Sequence, residues 1–474
     1  MSYTKLAKPQ PFSGAPRINW AGIYGASPKK PFLYRVPVLG ERPMTVTAQN
    51  LPAGLTMNEK GFISGAVEEA GIYEVTVTAE NRLGKDTQVL TLEIENNHLA
   101  LTPALGYGSW NSFNDKVTQT DMENVARIFD EEGYAEYGYA YMNIDSAWQG
   151  VYGGPHFAVM PNKKFPDLKE YCDYCHSLGL KAGIYSSPYK WCWGGPGLPG
   201  CSRGDTDPKI LNLNGGVGIE RYEQNNVDQW DDWGFDYLKY DWNFVDIASA
   251  ETMRQCLLNA KRDYVYSLTV DCHYRDAEYW SKNCNCWRDN PDAIDDWNVL
   301  MASFDICDKW SKYNSKGHYF DLDVLEVIDC RGHDCLLTED EQIFAYTFRA
   351  VFPSPILIGN HMDHISEFGR ALLCNEEIIA VNQDRLCKAA YVFREYKEQS
   401  GPEGGRYVRV YKKPLYDGGY CLAVFNAGDT EDDFTVEIGE GKTVRDLWAK
   451  EDLPSSSSIT IHTVPHSVQV VKIK

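Results

Sequence analysis

"YAYMNID" (residues 139–145), "LKAGIYS" (180–186), "FDYLKYD" (235–241) and "DYVYSLTV" (263–270) are short apolar runs that alternate with amphipathic stretches. The stretches read as helices at Thr120 to Glu132, with Thr120 and Asp121 as capping candidates, at Leu168 to Leu178 and at Ala248 to Arg262. Strand and helix repeated from about residue 99 to 387 predict parallel β/α units, and that length suits an eight-fold (β/α)8 TIM barrel with insertions. A doubly wound open sheet is the alternative, but no Gly-rich phosphate loop follows any of these strands.

On either side of this segment the pattern is all-β. In residues 1–98, Tyr73, Val75, Val77 and Ala79 alternate with Glu74, Thr76, Thr78 and Glu80, so one face of a strand is buried and the other wet. Turn signals at Asn58 to Gly61 and Asn81 to Gly84 complete the pattern of a small β-sandwich. In residues 388–474, "YVRVYKKP", "YCLAVFNA", "DFTVEI" and "SVQVVKIK" predict an antiparallel β domain. The expected architecture is therefore multidomain α/β plus β: an N-terminal sandwich (1–98), a barrel (99–387) and a C-terminal β domain (388–474).

Composition removes several function classes. The 474 residues carry 46 Lys+Arg against 67 Asp+Glu, a net charge of −21. A chain this acidic without a basic stripe repels phosphate backbones, so nucleic acid is not an expected partner. No run of about 18 apolar residues suggests a membrane span. Met1 to Gln10 lack the apolar core of a signal peptide, so the chain as written is expected in the cytoplasm, or in a secreted or periplasmic setting if a leader has been removed. The 14 Cys fall between Cys172 and Cys421 and read mainly as reduced, buried side chains. Cys172 and Cys175 lie in a helical stretch with no second pair at zinc spacing; Cys192 with Cys201, and Cys330 with Cys335, are weaker candidates for bridges or a metal. No cofactor is expected.

In a barrel the chemistry is built at the carboxyl ends of the strands. There the sequence places Asp145, Tyr185, Lys239 with Asp241, and Arg288 with Asp292 four residues on. Lys239 and Asp241 are two apart on a strand and share a side. A Lys beside an Asp keeps it ionised, as a carboxylate nucleophile requires, and a second carboxyl could protonate a leaving group. Two carboxyls in one mouth are the minimum for glycoside hydrolysis; spacing alone leaves a structural Lys–Asp pair open. The 13 Trp and 30 Tyr add to the case, with Trp110, Trp148, Trp191, Trp193, Trp242 and Trp287 at or just beyond strand ends, where flat side chains can stack on sugar rings. The alternative for most of them is core packing, as expected for Trp230 and Trp233; it suits the "YKWCWGG" loop (189–195) least.

The ordered set "GSWNSF" (108–113), "YMNIDSAW" (141–148), "GFDYLKYDW" (234–242), "NCWRDNPDAIDDW" (285–297), "GHYFDLDVL" (317–325) and "IIAVNQD" (378–384) resembles glycoside hydrolase family 27, the clan-D α-galactosidases and α-N-acetylgalactosaminidases. The C-terminal "VRDLW" (444–448) and "VPHSVQVVKI" (464–473) resemble that family's β domain, and residues 50–81 resemble immunoglobulin-like modules of bacterial carbohydrate enzymes, either sugar-binding or simply bracing. The resemblance implies a retaining exo-α-glycosidase with Asp241 as nucleophile and Asp292 as acid/base. It implies Lys239 and Arg288 on substrate hydroxyls, Trp110 as stacking platform, Asp145 on the 4- or 6-hydroxyl, and Tyr185 lining the subsite. Trp191 in the "YKWCWGG" loop joins them as a candidate sugar contact. His318, Asp321 and Asp323 resemble a buried structural cluster.

The departures concern recognition. Ser146 stands where the family has a second Asp that helps grip the 4- and 6-hydroxyls, and Val270-Asp271-Cys272 match neither familiar sequence for reading the C2 substituent. A charged hydrogen bond to substrate is worth roughly 1.5–3 kcal/mol, so the glycone is left open. Terminal α-galactose is the first expectation; a β-L-arabinopyranoside, α-N-acetylgalactosaminide or α-glucoside, or a catalytically silent sugar-binding protein, are the alternatives. The expected partner is a small carbohydrate or glycoconjugate.

Overall fold

The computed structural model describes residues 2–209, 215–241, 246–269, 271–330, 332–398, 405–454 and 457–474, with the side chains of 329 and 330 left out. Trp242, Val270 and the Cys330 side chain therefore lie outside the described residues.

Eight parallel strands form the central sheet: β1 (Leu105–Gly108), β2 (Tyr141–Asn143), β3 (Lys181–Ser186), β4 (Tyr237–Asp241), β5 (Val265–Thr269), β6 (Cys286–Trp287), β7 (Tyr319–Phe320) and β8 (Ile356–Ile358). Their spatial order is β7-β6-β5-β4-β3-β2-β1-β8, and a parallel bridge from Leu325, just past β7, to Ile358 closes the ring. Each strand leads into a helix: α1 (Gln119–Glu131), α2 (Leu168–Ser177), α3 (Glu223–Trp233), α4 (Ile247–Asn259), α5 (Ala277–Asn283), α6 (Trp297–Ser311), α7 (Glu339–Val351), and after β8 the pair α8 (Glu367–Leu373) and α9 (Glu376–Asn382). This is the TIM barrel expected from the alternating pattern. Helix α1 starts one residue before its expected position. Its cap is Thr118, which accepts from the Asp121 backbone while Asp121 reaches back to the Thr118 N–H.

The N-terminal sandwich packs a four-stranded sheet (Ile23–Ala26, Thr45–Gln49, Gly71–Asn81, Gly84–Ile94) on a three-stranded one (Phe32–Arg35, Leu55–Met57, Phe62–Gly65). Val75, Val77, Ala79, Leu90 and Leu92 are fully buried between them. The sandwich abuts the amino ends of the barrel strands. Arg35 bonds Asp130, Glu136 and the Leu178 carbonyl; the Ser27 N–H donates to Asp263 just before β5, and Phe62 packs on Gly179 just before β3. The carboxyl ends remain open.

The C-terminal domain is a six-stranded antiparallel sheet (Tyr391–Lys397, Tyr407–Pro414, Tyr420–Asn426, Ser467–Ile473, Val444–Asp446, Glu451–Leu453) facing a two-stranded one (Asp432–Glu437, Ser458–Thr463). It docks on α7, where Phe425 meets Phe344 at 4.7 Å and the Trp448 indole N–H donates to Thr347. The first residues of the chain do not join the sandwich. Tyr3 and Thr4 donate their backbone N–H groups to Asp340 on α7, and Ala7 N–H donates to the Trp448 carbonyl. They tie the C-terminal domain to the barrel, a long-range pairing that local alternation does not encode.

Candidate active site

The carboxyl ends of the strands surround a cavity of ≈ 280 Å³. Strand β1 runs into a short helix, Trp110–Phe113, that brings Trp110 and Asn111 to the cavity wall. Asp145 follows β2 by two residues. On β4, Lys239 and Asp241 share the inner face, as their spacing predicts, while Leu238 and Tyr240 are buried among the helices. Arg288 and Asp292 come from the turn after β6, and Asp323 and Val324 from the chain after β7.

Strand register sets the surroundings of Asp241. Lys239 lies beside Tyr185 across β3–β4, and Asp241 beside Thr269 across β4–β5. The Tyr185 hydroxyl donates to Asp241 Oδ2 at 2.5 Å and the Thr269 hydroxyl to Oδ1 at 2.5 Å, so both carboxylate oxygens are oriented. Burial, then the charge of Asp241, holds the Tyr185 phenol well above its ordinary range, which keeps it a donor.

Lys239 lines the cavity already paired with a carboxylate. Its ammonium pairs with Asp145 Oδ2 at 2.7 Å and sits 5.6 Å from the centre of the Tyr185 ring. Burial pulls its pKa down, but the carboxylates of Asp145, Asp241 and Asp323 outweigh that and leave it raised. Asp145 is raised by burial, with Lys239 opposing the rise.

Arg288, only 2% exposed, forks between the two neighbouring carboxylates: one nitrogen is 2.8 Å from Asp292 Oδ1 and the other 2.5 Å from Asp323 Oδ2. Asp292 itself is 71% exposed, so it faces what enters from solvent. Burial would raise Asp323, but Arg288 and Lys239 hold it below the usual carboxylate range.

Of the residues expected at the site, Trp110, Asp145, Lys239, Asp241, Arg288 and Asp292 line the cavity. Tyr185 reaches it through its bond to Asp241. Three expected sugar contacts lie elsewhere. Trp191 packs against Gly215, where an added Cβ would come within 2.6 Å of the indole, and it is Trp193, two residues on and 50% exposed, that lines the cavity. Ser146 is fully buried and donates its hydroxyl to the Trp193 carbonyl. Asp271, largely exposed and at a positive φ of 55°, is outside the lining; what burial it has, and then the charge of Asp289, raise its pKa.

The expected His318–Asp321–Asp323 cluster divides. His318 bonds the Cys284 carbonyl at the far end of β7, whereas Asp323 lines the cavity. Asn111, 4% exposed, is a further lining residue that the sequence reading passed over; its Nδ2 has no partner among the described residues. Trp148, Trp230 and Trp287 are core. Cys192 and Cys201 are buried free thiols, as are Cys172 and Cys175. Among the described residues no group of three His, Cys, Asp or Glu could hold a metal ion, and no helix is long and apolar enough to cross a membrane.

The family model for alpha galactosidase A matches residues 102–384. The chain belongs to that family. The model of the alpha galactosidase C-terminal beta sandwich domain matches residues 405–473, and an Ig-domain model matches 15–95. Alpha-galactosidase A of Cellvibrio japonicus is 32% identical over 412 residues, covering 79% of this chain and 92% of that protein. Alpha-galactosidase 2 of Arabidopsis thaliana is 30% identical, over 74% and 84%. A crystal structure assigned as an alpha-galactosidase/melibiase from Bacteroides fragilis superposes with a TM-score of 0.85 at 29% identity, covering 98% of this chain and 99% of that one. Alpha-galactosidase I from Mortierella vinacea gives 0.67 at 25%, over 80% and 98%.

Proposed function

We propose that the protein is a retaining exo-α-galactosidase. The carrying observation is the pair of carboxyls in one mouth: Asp241, oriented by two hydroxyl donors, and Asp292, exposed at the rim beside Arg288. Asp241 attacks the anomeric carbon while the bond to the aglycone oxygen breaks and Asp292 supplies that oxygen's proton. Water then displaces Asp241 from the same carbon and gives its proton to Asp292. Trp110 and Trp193 offer flat surfaces to the ring, and Asp145, Lys239 and Arg288 offer charged partners to its hydroxyls. The relatives' assignments as alpha-galactosidases support the choice of glycone.

The test is hydrolysis of nitrophenyl α-galactoside, β-L-arabinopyranoside, α-N-acetylgalactosaminide and α-glucoside, with the anomer of the first-formed sugar read by NMR. The α-galactoside should turn over fastest and release α-galactose. Preference for another glycone would overturn the substrate, and a β-anomer would overturn the double displacement.

A further inference from the structure

We propose that Ser146 is a positioning residue that fixes Trp193 against the glycone, not a group that binds sugar. The inference rests on the glycosidase reading above for its substrate. The Ser146 hydroxyl donates to the Trp193 carbonyl at 2.7 Å, and the Trp193 N–H points to the Tyr185 hydroxyl at 3.4 Å. Tyr185 in turn donates to Asp241. The backbone of one residue thus joins Ser146, after β2, to the carboxylate proposed to attack.

Backbone bonds on either side close the loop, Cys192 N–H to the Leu198 carbonyl at 2.6 Å and Gly195 N–H to the Cys192 carbonyl at 3.2 Å, while Trp193's own backbone groups are held by Ser146 and Tyr185. The Trp193 side chain is half exposed, and Gly194 and Gly195 follow it at φ of 107° and 93°, a region that side chains rarely adopt. An indole on such a loop gains little from packing, so hydrogen bonds at both ends of the residue determine where the ring stands. The bond to the Trp193 carbonyl also requires a donor at position 146, which a hydroxyl is and an ionised carboxylate is not, and two acceptors at that separation repel. Ser146 and the seated Trp193 therefore form one recognition device, and the hydroxyl, committed and fully buried, is unavailable to substrate.

The experiment compares wild type, Ser146→Ala, Ser146→Thr, Trp193→Ala and Ser146→Ala/Trp193→Ala on aryl α-galactoside and aryl β-L-arabinopyranoside, which differ by the hydroxymethyl group. Ser146→Ala should lower kcat/KM about tenfold on both glycones, chiefly through KM, with Ser146→Thr within about threefold of wild type. In the Trp193→Ala background the same change should cost less than about twofold, because the ring it positions is gone. A loss confined to the galactoside would mean that the hydroxyl touches the hydroxymethyl group, and would overturn the proposal. So would two independent, multiplying losses. Hydrogen exchange of the 187–200 peptide gives a readout that needs no turnover: Ser146→Ala should speed it about tenfold and Ser146→Thr should restore protection. Unchanged protection overturns the positioning role. Inactivity of wild type on every glycoside would sink the proposed function alone.

Discussion

The two ends of the barrel use charge in opposite ways. At the amino end, the Glu136 carboxylate accepts from Arg35, Arg42 and the Val38 N–H, and Arg35 also reaches Asp130 and the Leu178 carbonyl. Its partners come from the protein and the sandwich covers it. At the carboxyl end, Asp292 stands 71% exposed, and Lys239 and Arg288 stand over a cavity with carboxylates on several sides. The first arrangement locks two domains together. The second concentrates charge where a substrate can complete it. The same residue types serve both purposes, and what separates them is whether the protein supplies the last partner.

The largest effect expected from this contrast is at the open end. Asp241→Asn should lower kcat by about 10³–10⁴-fold or more, since an amide is no nucleophile at the anomeric carbon. Its unfolding transition should stay at or above that of wild type, because relieving one negative charge among Asp145, Asp292 and Asp323 costs the fold little. Full activity of the variant would remove Asp241 from the chemistry. An intermediate effect belongs to the closed end. Glu136→Ala leaves Arg35 buried with Asp130 as its remaining carboxylate partner, and should cost about 3 kcal/mol in the transition that releases the sandwich. Its kcat/KM, measured where the variant is folded, should match wild type. A parallel loss of activity would show that the two ends are coupled and that the division drawn above is too sharp.

The sequence carried the barrel well because period-two alternation and helical stretches are local signals. "YLKYD" alone puts Lys239 and Asp241 on one face. In "FDLDV" (320–324) that signal does not apply: the strand ends at Phe320 and Asp323 stands at a φ of 67°, so Asp323 lines the cavity while Asp321, two residues before it, does not. Trp191 and Trp193 could not be told apart for a different reason. A loop whose course depends on Gly194, Gly195 and an antiparallel bridge from Trp191 to Pro199 has no period to read. The Ser146–Trp193 bond joins residues 47 apart, and the ties of Tyr3 and Thr4 to Asp340 span more than 300, so neither lies within reach of a local pattern. The cap at Thr118 was within reach, since Asp121 three residues on completes a capping box.

The smallest expected effect sits one layer beneath the open mouth, where the contrast between satisfied and unsatisfied charge is sharpest within a single pair. Asp321 and Asp323 are two residues apart and both buried, and Asp321 Oδ1 accepts the Asp323 N–H at 2.8 Å. Arg288 and Lys239 hold Asp323 down, whereas burial and then the charge of Asp323 push Asp321 up to about 6. A carboxyl raised on folding binds a proton that the unfolded chain has released. Its contribution to stability is therefore full below the unfolded value of about 4 and is lost as pH rises through about 6. Asp321→Asn keeps an acceptor for the Asp323 N–H and cannot ionise. Relative to wild type it should gain on the order of 2 kcal/mol between pH 4 and pH 7.5, read from unfolding midpoints at the two values. An equal difference at both would mean that Asp321 does not titrate in this range. Asp321 would then keep one charge state across the whole range, and the pair would not carry the contrast that separates the open end from the closed one.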